Sequence, residues 1–194
     1  MSLTIDPRAR ALIFDMDGTI ADTMEAHFEA WRDALAAHGL EITRELFFSR
    51  LGGRISTEIV RIVNADFGLD LDVDEVSREK DEAYLHHVDQ MRPLEPVAAL
   101  ARSAYGRLPL GLATGEQRHI ASRVLKATGL EMLFDAFVTS NDVSHHKPHP
   151  ETFLRCAELL GVDAAACQVF EDSPSGLEAG RRAGMIVTDV TAHV

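Results

Sequence analysis

The run ALIF at 11–14 is continuously apolar and stops at two aspartates and a glycine, the pattern of a strand buried on both faces that ends in a loop. Beyond it the period changes. Phe28, Trp31, Leu35 and His38 recur at helical spacing, which predicts an amphipathic helix from Asp22 to His38, with Asp22 or Thr23 as N-cap and Gly39 as its stop. Further helical stretches are predicted over 44–51, 56–67 and 72–91, with no strand-like run between them. After Pro93 and Pro96 the text alternates. A helix to about Tyr105 precedes LPLGLAT at 108–114, followed by a helix stopped by Gly129, AFVT at 136–139 and a helix over 150–160. QVF at 168–170, a helix over 176–183 and MIVTDV at 185–190 complete the chain.

Apolar runs alternating with helices of ten to fifteen residues predict a parallel sheet covered on both faces. The expected fold class is therefore α/β, a Rossmann-like core at 1–20 and 92–194 with an all-helical insertion at 21–91.

Composition narrows the function. The 194 residues are 46% hydrophobic and 26% charged, enough for a sizeable core, and 19 basic against 31 acidic side chains give a net charge of −12. Such a field repels nucleic acid and anionic membranes, so neither is an expected partner. No run approaches the length of a membrane span, and MSLTIDPRAR lacks the apolar stretch of a signal peptide, which predicts a cytoplasmic protein. Cys156 and Cys167 have neither disulfide-framework nor metal-ligand spacing and read as core residues of a reducing compartment.

Four polar clusters each follow a predicted strand. Asp15-Met16-Asp17-Gly18-Thr19 places two carboxylates where they converge on one cation, with a glycine for a sharp turn; as an isolated D-x-D-G it is equally a polar turn. An EF-hand loop is excluded, because Gly18 as its glycine makes Ile13 the first ligand and Met24 the twelfth. Thr114-Gly115, read as opening a helix, offers a hydroxyl and free N–H groups to an anion, or merely an N-cap. In His145-His146-Lys147-Pro148-His149-Pro150, Lys147 is the one lysine of three outside a predicted helix. Its ammonium suits a phosphate or carboxylate, while the irregular histidine spacing weighs against a His-rich metal tract. Glu171-Asp172-Ser173-Pro174 supplies carboxylates that complete a hard-cation site with Asp15 and Asp17, or cap a helix.

In this order the clusters resemble the four motifs of the haloacid dehalogenase superfamily, over nearly the whole chain. The insertion is similar to the small cap of the β-phosphoglucomutase-like branch, and HHKP, FLRCAELLGV and VFEDSPSGLEAGRRAGM are similar to fructose-1-phosphate phosphatases. The resemblance implies Asp15 as nucleophile and Asp17 as general acid and base. It implies Mg²⁺ held by Asp15, Asp172 and the Asp17 backbone carbonyl, with Glu171 in support. Thr114, the Gly115 N–H and Lys147 then face the phosphoryl oxygens, Gly18 lies beside them, and His27, Gly53 and Arg54 are the cap's candidates for the sugar.

The expected function is Mg²⁺-dependent hydrolysis of a small sugar phosphate by a monomer or dimer. The alternatives are a β-phosphoglucomutase and a non-catalytic sugar-phosphate binding module. Mutases of the branch grip a second phosphate with a cap lysine and arginine; in Leu51-Gly52-Gly53-Arg54-Ile55-Ser56 these places hold Gly52 and Ser56. Glu116 is a further departure, adding negative charge beside Thr114.

Overall fold

A computed structural model describes residues 3–194. The chain divides into two compact units, one running up to Asp22 and resuming at Met91–Val194, the other Thr23–Gln90.

The first unit is built on a parallel sheet of β1 (Ala11–Phe14), β4 (Leu110–Ala113), β5 (Ala136–Val138), β6 (Cys167–Glu171) and β7 (Ile186–Asp189) in the order β5-β4-β1-β6-β7. A short antiparallel pair, β2 (Ala21–Asp22) with β3 (Arg92–Pro93), brackets the segment that leaves for the second unit. Every residue of β1, β4 and β6 is buried; β1 and β4 are unbroken apolar runs, while β6 also buries the polar Gln168 and Glu171. Helices α5 (Glu95–Ala104), α6 (Arg118–Thr128), α7 (Glu151–Leu160) and α8 (Pro174–Arg182) connect the strands. Against Ile13, Ala113, Val138 and Val169 pack Phe153 and Cys156 of α7 and Ala179 of α8. Gly111 makes that approach possible: a Cβ there would stand 2.3 Å from Cys156 Sγ. Cys156 and Cys167 are buried free thiols, and burial pushes both thiol pKa values up.

The second unit is helical, with α1 (Met24–Ala37), α2 (Arg44–Leu46), α3 (Ser56–Phe67) and α4 (Val73–Leu85). Its core gathers Phe28, Trp31 and Leu35, three of the positions at helical spacing in the first helix, with Phe47, Leu51, Val60, Val63 and Val76. Among the described residues no helix is long and apolar enough to cross a membrane.

Several local readings are corrected. Thr23 occupies the N-cap position of α1 but its side chain makes no capping bond there. The 44–51 stretch is one α-turn continuing into a π-helix at Phe47–Leu51, and the last helix of the unit ends at Leu85, before a 3₁₀ turn at Val88–Gln90. Thr114-Gly115 does not open a helix: α6 begins at Arg118, after Gln117 as N-cap.

Candidate active site

The sheet order reverses direction around β1, and the four polar clusters collect at the carboxyl ends of the strands, where open parallel sheets bind ligands. Asp15 follows β1 directly, its N–H donating to the Phe170 carbonyl at 3.1 Å. Thr114 follows β4, its N–H donating to Val138 O at 3.0 Å. Glu171 closes β6, one residue later than the apolar run alone predicts. Lys147 comes from the loop between β5 and α7 and reaches back to the first strand.

That lysine is the hub. Its Nζ donates to Asp15 Oδ1 at 2.6 Å, Glu171 Oε2 at 2.7 Å and the Ala113 carbonyl at 3.1 Å, and lies 4.6 Å from the Phe153 ring centroid. The other Glu171 oxygen accepts the Asp172 N–H at 3.0 Å and both the N–H and hydroxyl of Ser173 at 2.9 Å. Ser173, not Asp172, caps α8, accepting from the Gly176 N–H at 3.1 Å. Asp172 is instead fixed by the Thr19 hydroxyl, which donates to Oδ1 at 2.8 Å. Gly18, at φ 76°, turns the chain between Asp17 and Thr19 in a left-handed conformation that strains other residues.

Electrostatics follow from this crowding. Burial, and then Glu171, raise the Asp15 carboxyl well above its ordinary range, against the pull of Lys147. Burial and Glu171 likewise push Asp172 up to about 7. Burial acts to discharge Lys147, but Asp15 and Glu171 outweigh it and hold the ammonium charged. Asp15, Glu171 and Asp172 bring donor oxygens within 4.8 Å of one another. In their ionised forms three carboxylates against one ammonium carry two uncompensated negative charges, the crowding that raises Asp15 and Asp172, and the donors are all oxygen. This is the set a hard divalent cation such as Mg²⁺ prefers, so the residues fit the ion the resemblance implies.

The Asp17 carboxylate stands outside that trio, its Oδ2 3.4 Å from the Thr114 hydroxyl. Thr114 Oγ1 in turn accepts the Glu116 N–H at 3.0 Å, which holds the Gly115 bend. Asp17 thus meets Thr114 apart from the buried trio.

Within the helical unit, His27 is buried with its ring stacked on Tyr84, centroids 4.1 Å apart at 14°. Lys80 Nζ lies 4.8 Å from the Tyr84 ring and 3.4 Å from Asp81 Oδ1. Lys80, set aside in the sequence because it falls inside a helix, is only 1% exposed. Its spacing of four from both Val76 and Tyr84 places it on the buried stripe of α4 and is the signal that identifies it. Arg54 is an exposed residue whose guanidinium pairs with Glu58 and donates to the Arg50 carbonyl at 3.0 Å. Gly53, at φ 74°, lies in the turn preceding it.

A model of the family described as haloacid dehalogenase-like hydrolase matches residues 12–190. The chain belongs to this family. The hydrolase is 41% identical over 187 residues to fructose-1-phosphate phosphatase YqaB of Escherichia coli (strain K12), covering 94% of this chain and 97% of that protein. Against hexitol phosphatase B of the same organism identity is 31% over 181 residues, covering 90% and 80%. Among solved structures it is similar to β-phosphoglucomutase from Clostridium difficile, with 27% identity, a TM-score of 0.80, and coverage of 93% of this chain and 84% of the other. The α/β core and helical insertion expected from the sequence are those of a haloacid dehalogenase-like enzyme.

Proposed function

We propose that this enzyme is a Mg²⁺-dependent phosphatase of small sugar phosphates, with fructose 1-phosphate the first substrate to test. The observation that carries the reading is the convergence of Asp15, Lys147, Glu171 and Asp172 beside Thr114 and Asp17 at adjacent strand ends. The 41% identity to a fructose-1-phosphate phosphatase supports the substrate class.

In this mechanism an oxygen of Asp15 attacks phosphorus, forming an aspartyl phosphate as the ester oxygen leaves. Asp17 gives that oxygen its proton, so the sugar departs as a neutral alcohol. Asp17, now a carboxylate, takes a proton from water as the water attacks the same phosphorus, releasing inorganic phosphate and restoring Asp15. Lys147 stays charged throughout and stabilises negative charge on the phosphoryl oxygens, as do the Thr114 hydroxyl and the Gly115 N–H. Mg²⁺, held by Asp15, Asp172 and the Asp17 carbonyl, supplies further charge neutralisation when bound.

The reading is tested with a panel of hexose, pentose and hexitol monophosphates, measuring release of inorganic phosphate. Preference for fructose 1-phosphate over p-nitrophenyl phosphate and glycolate phosphate is expected. A panel without turnover overturns the catalytic reading in favour of a binding module.

A further inference from the structure

Beyond the strand-end centre, the loop leading into α7 gathers a second and chemically different donor set. His145, His149 and Glu151 each bring one donor atom within 4.8 Å of the other two. His145 Nδ1 lies 2.7 Å from Glu151 Oε2, and His149 Nδ1 lies 3.8 Å from the same oxygen. The two imidazoles face one another with centroids 4.6 Å apart at 34°. We propose that His145, His149 and Glu151 form a binding site for a borderline transition-metal ion of the Zn²⁺ class, separate from the all-oxygen centre.

The donor chemistry selects the ion. Imidazole nitrogen suits Zn²⁺, Ni²⁺ and Cu²⁺, whereas Mg²⁺ prefers oxygen and gives up its water reluctantly. Two imidazoles and one carboxylate match a common three-ligand zinc set whose fourth position is filled by water. Zinc–donor bonds of about 2.0 to 2.1 Å put tetrahedral ligands about 3.4 Å apart, so small side-chain rotations close the present spacing.

The loop is already organised around the carboxylate. Glu151 Oε1 accepts the Ser144 N–H at 2.8 Å, and Oε2 accepts the His145 N–H at 3.0 Å. These bonds from Ser144 and His145 hold Glu151 ionised, its pKa below the ordinary range. The Glu151 N–H donates to His149 Nδ1 at 3.3 Å, a bond that a metal on that nitrogen displaces. The freed N–H is a first-turn donor of α7, which needs no partner within the helix. Both histidines are exposed, so the ion enters directly from solvent.

The experiment uses the full chain in excess Mg²⁺, which keeps the strand-end carboxylates occupied, and titrates Zn²⁺ by calorimetry. Long-range ¹H–¹⁵N spectra of the imidazoles are followed in parallel. One saturable equivalent is expected, with ring ¹⁵N shifts confined to His145 and His149. His149→Ala and Glu151→Gln are each expected to weaken binding about tenfold or more, since even supporting residues of metal sites contribute that much. Glu151→Gln keeps one acceptor oxygen for the Ser144 or the His145 N–H, and unchanged backbone amide shifts of residues 144–151 in the metal-free variant separate ligand loss from loop collapse. Asp172→Asn is expected to leave the binding unchanged. Absence of saturable uptake, unchanged binding in His149→Ala, or loss of binding in Asp172→Asn overturns the proposal.

Discussion

Lys147 Nζ stands 2.6 Å from Asp15 Oδ1, two groups 132 residues apart in sequence and both buried from solvent at the strand ends. The same ammonium meets Glu171 at 2.7 Å, so it neutralises the proposed nucleophile's surroundings before any phosphate arrives. Replacing Lys147 by Met leaves two buried carboxylates without their cation. A loss of about 3 to 5 kcal/mol is expected for the metal-free protein, as for other broken buried ion pairs. At this chain length that lowers Tm by roughly 6 to 20 °C. Added Mg²⁺ is expected to restore part of the stability but not the turnover, because in the proposed mechanism Lys147 also stabilises the phosphoryl group in flight. Thermal denaturation with and without Mg²⁺, alongside kcat, checks both expectations; an unchanged kcat removes Lys147 from the catalytic set.

Gly176 is expected to be as sensitive as a catalytic residue although it carries no chemistry. A Cβ at this position would lie 1.6 Å from Glu171 Oε2, the oxygen that accepts from Lys147. Gly176→Ala therefore displaces Glu171 and slackens Lys147, although the change on its own favours helix formation by roughly 1 kcal/mol. Reduced kcat together with reduced Tm is expected. A Gly176→Ala enzyme that is more stable and fully active would show that Glu171 has room to move.

The pH dependence of metal binding follows from the raised carboxyls. Burial and Glu171 push Asp172 up to about 7 in the folded chain, from an ordinary value of 3.8. The folded state therefore holds a proton there that the unfolded state releases, and stability falls as pH rises from about 4 to about 7. Mg²⁺ requires the ionised form and competes with that proton. In EDTA-treated protein the rise in Tm produced by a fixed excess of Mg²⁺ should grow between about pH 5.5 and 8. Asp172→Asn should flatten both the metal-free stability profile and the Mg²⁺ response. Turnover should vanish under chelation and return with Mg²⁺. A Mg²⁺-induced shift of constant size across this range contradicts the assignment of Asp172.

Asp15→Asn keeps the shape of the side chain and removes its nucleophilic oxygen. It also removes one of the crowded negative charges, so turnover is expected to fall to a trace without loss of fold. Asp17→Asn is expected to cost about 10² to 10⁴ in kcat through lost proton transfer. Circular dichroism and phosphate release check both variants, and trapping of an acid-stable phosphoryl-enzyme in wild type but not in Asp15→Asn checks the nucleophile.

Much of this architecture is legible because its signals are local. A buried parallel strand is an unbroken apolar run, and a strand-end site is the polar residue where that run stops, as at Asp15 and Thr114. Lys147 is legible for a different reason, being the one lysine of three outside a helical stretch. What escapes the sequence depends on tertiary contact. Glu171 reads as following a strand but closes it, because pairing with Asp189 extends β6 by one residue. Gly176 reads as an ordinary helix residue until the Glu171 side chain fills the space beside it. Lys80 is hidden because charge is ordinarily a sign of exposure, whereas its position on the Val76–Tyr84 stripe buries it. The His145–His149–Glu151 cluster is irregular along the chain, and only the loop's return onto α7 brings its donors together.

Hydrolysis and isomerisation are separated by what holds a second phosphate. A mutase must retain a bisphosphate by its distal group while the sugar reorients, and the resemblance to the mutase branch implies a cap lysine and arginine for that grip. Here Gly52 and Ser56 stand at those places, and the nearby cations are already engaged, Arg54 with Glu58 and Arg50 with Asp66. Losing charge-assisted partners costs the distal phosphate about 1.5 to 3 kcal/mol each, or roughly 10- to 160-fold in affinity per contact. A monophosphate ester incurs no such loss. With fructose 1-phosphate, release of one inorganic phosphate per sugar is expected, without lag and without need of a bisphosphate primer. With β-glucose 1-phosphate, inorganic phosphate should again outrun glucose 6-phosphate. The opposite balance, primer-dependent isomerisation with little phosphate released, would mean that Arg54 leaves Glu58 for the distal phosphate. Arg54→Ala should then abolish isomerisation and spare slow hydrolysis, with glucose 6-phosphate and inorganic phosphate measured side by side to tell the two apart.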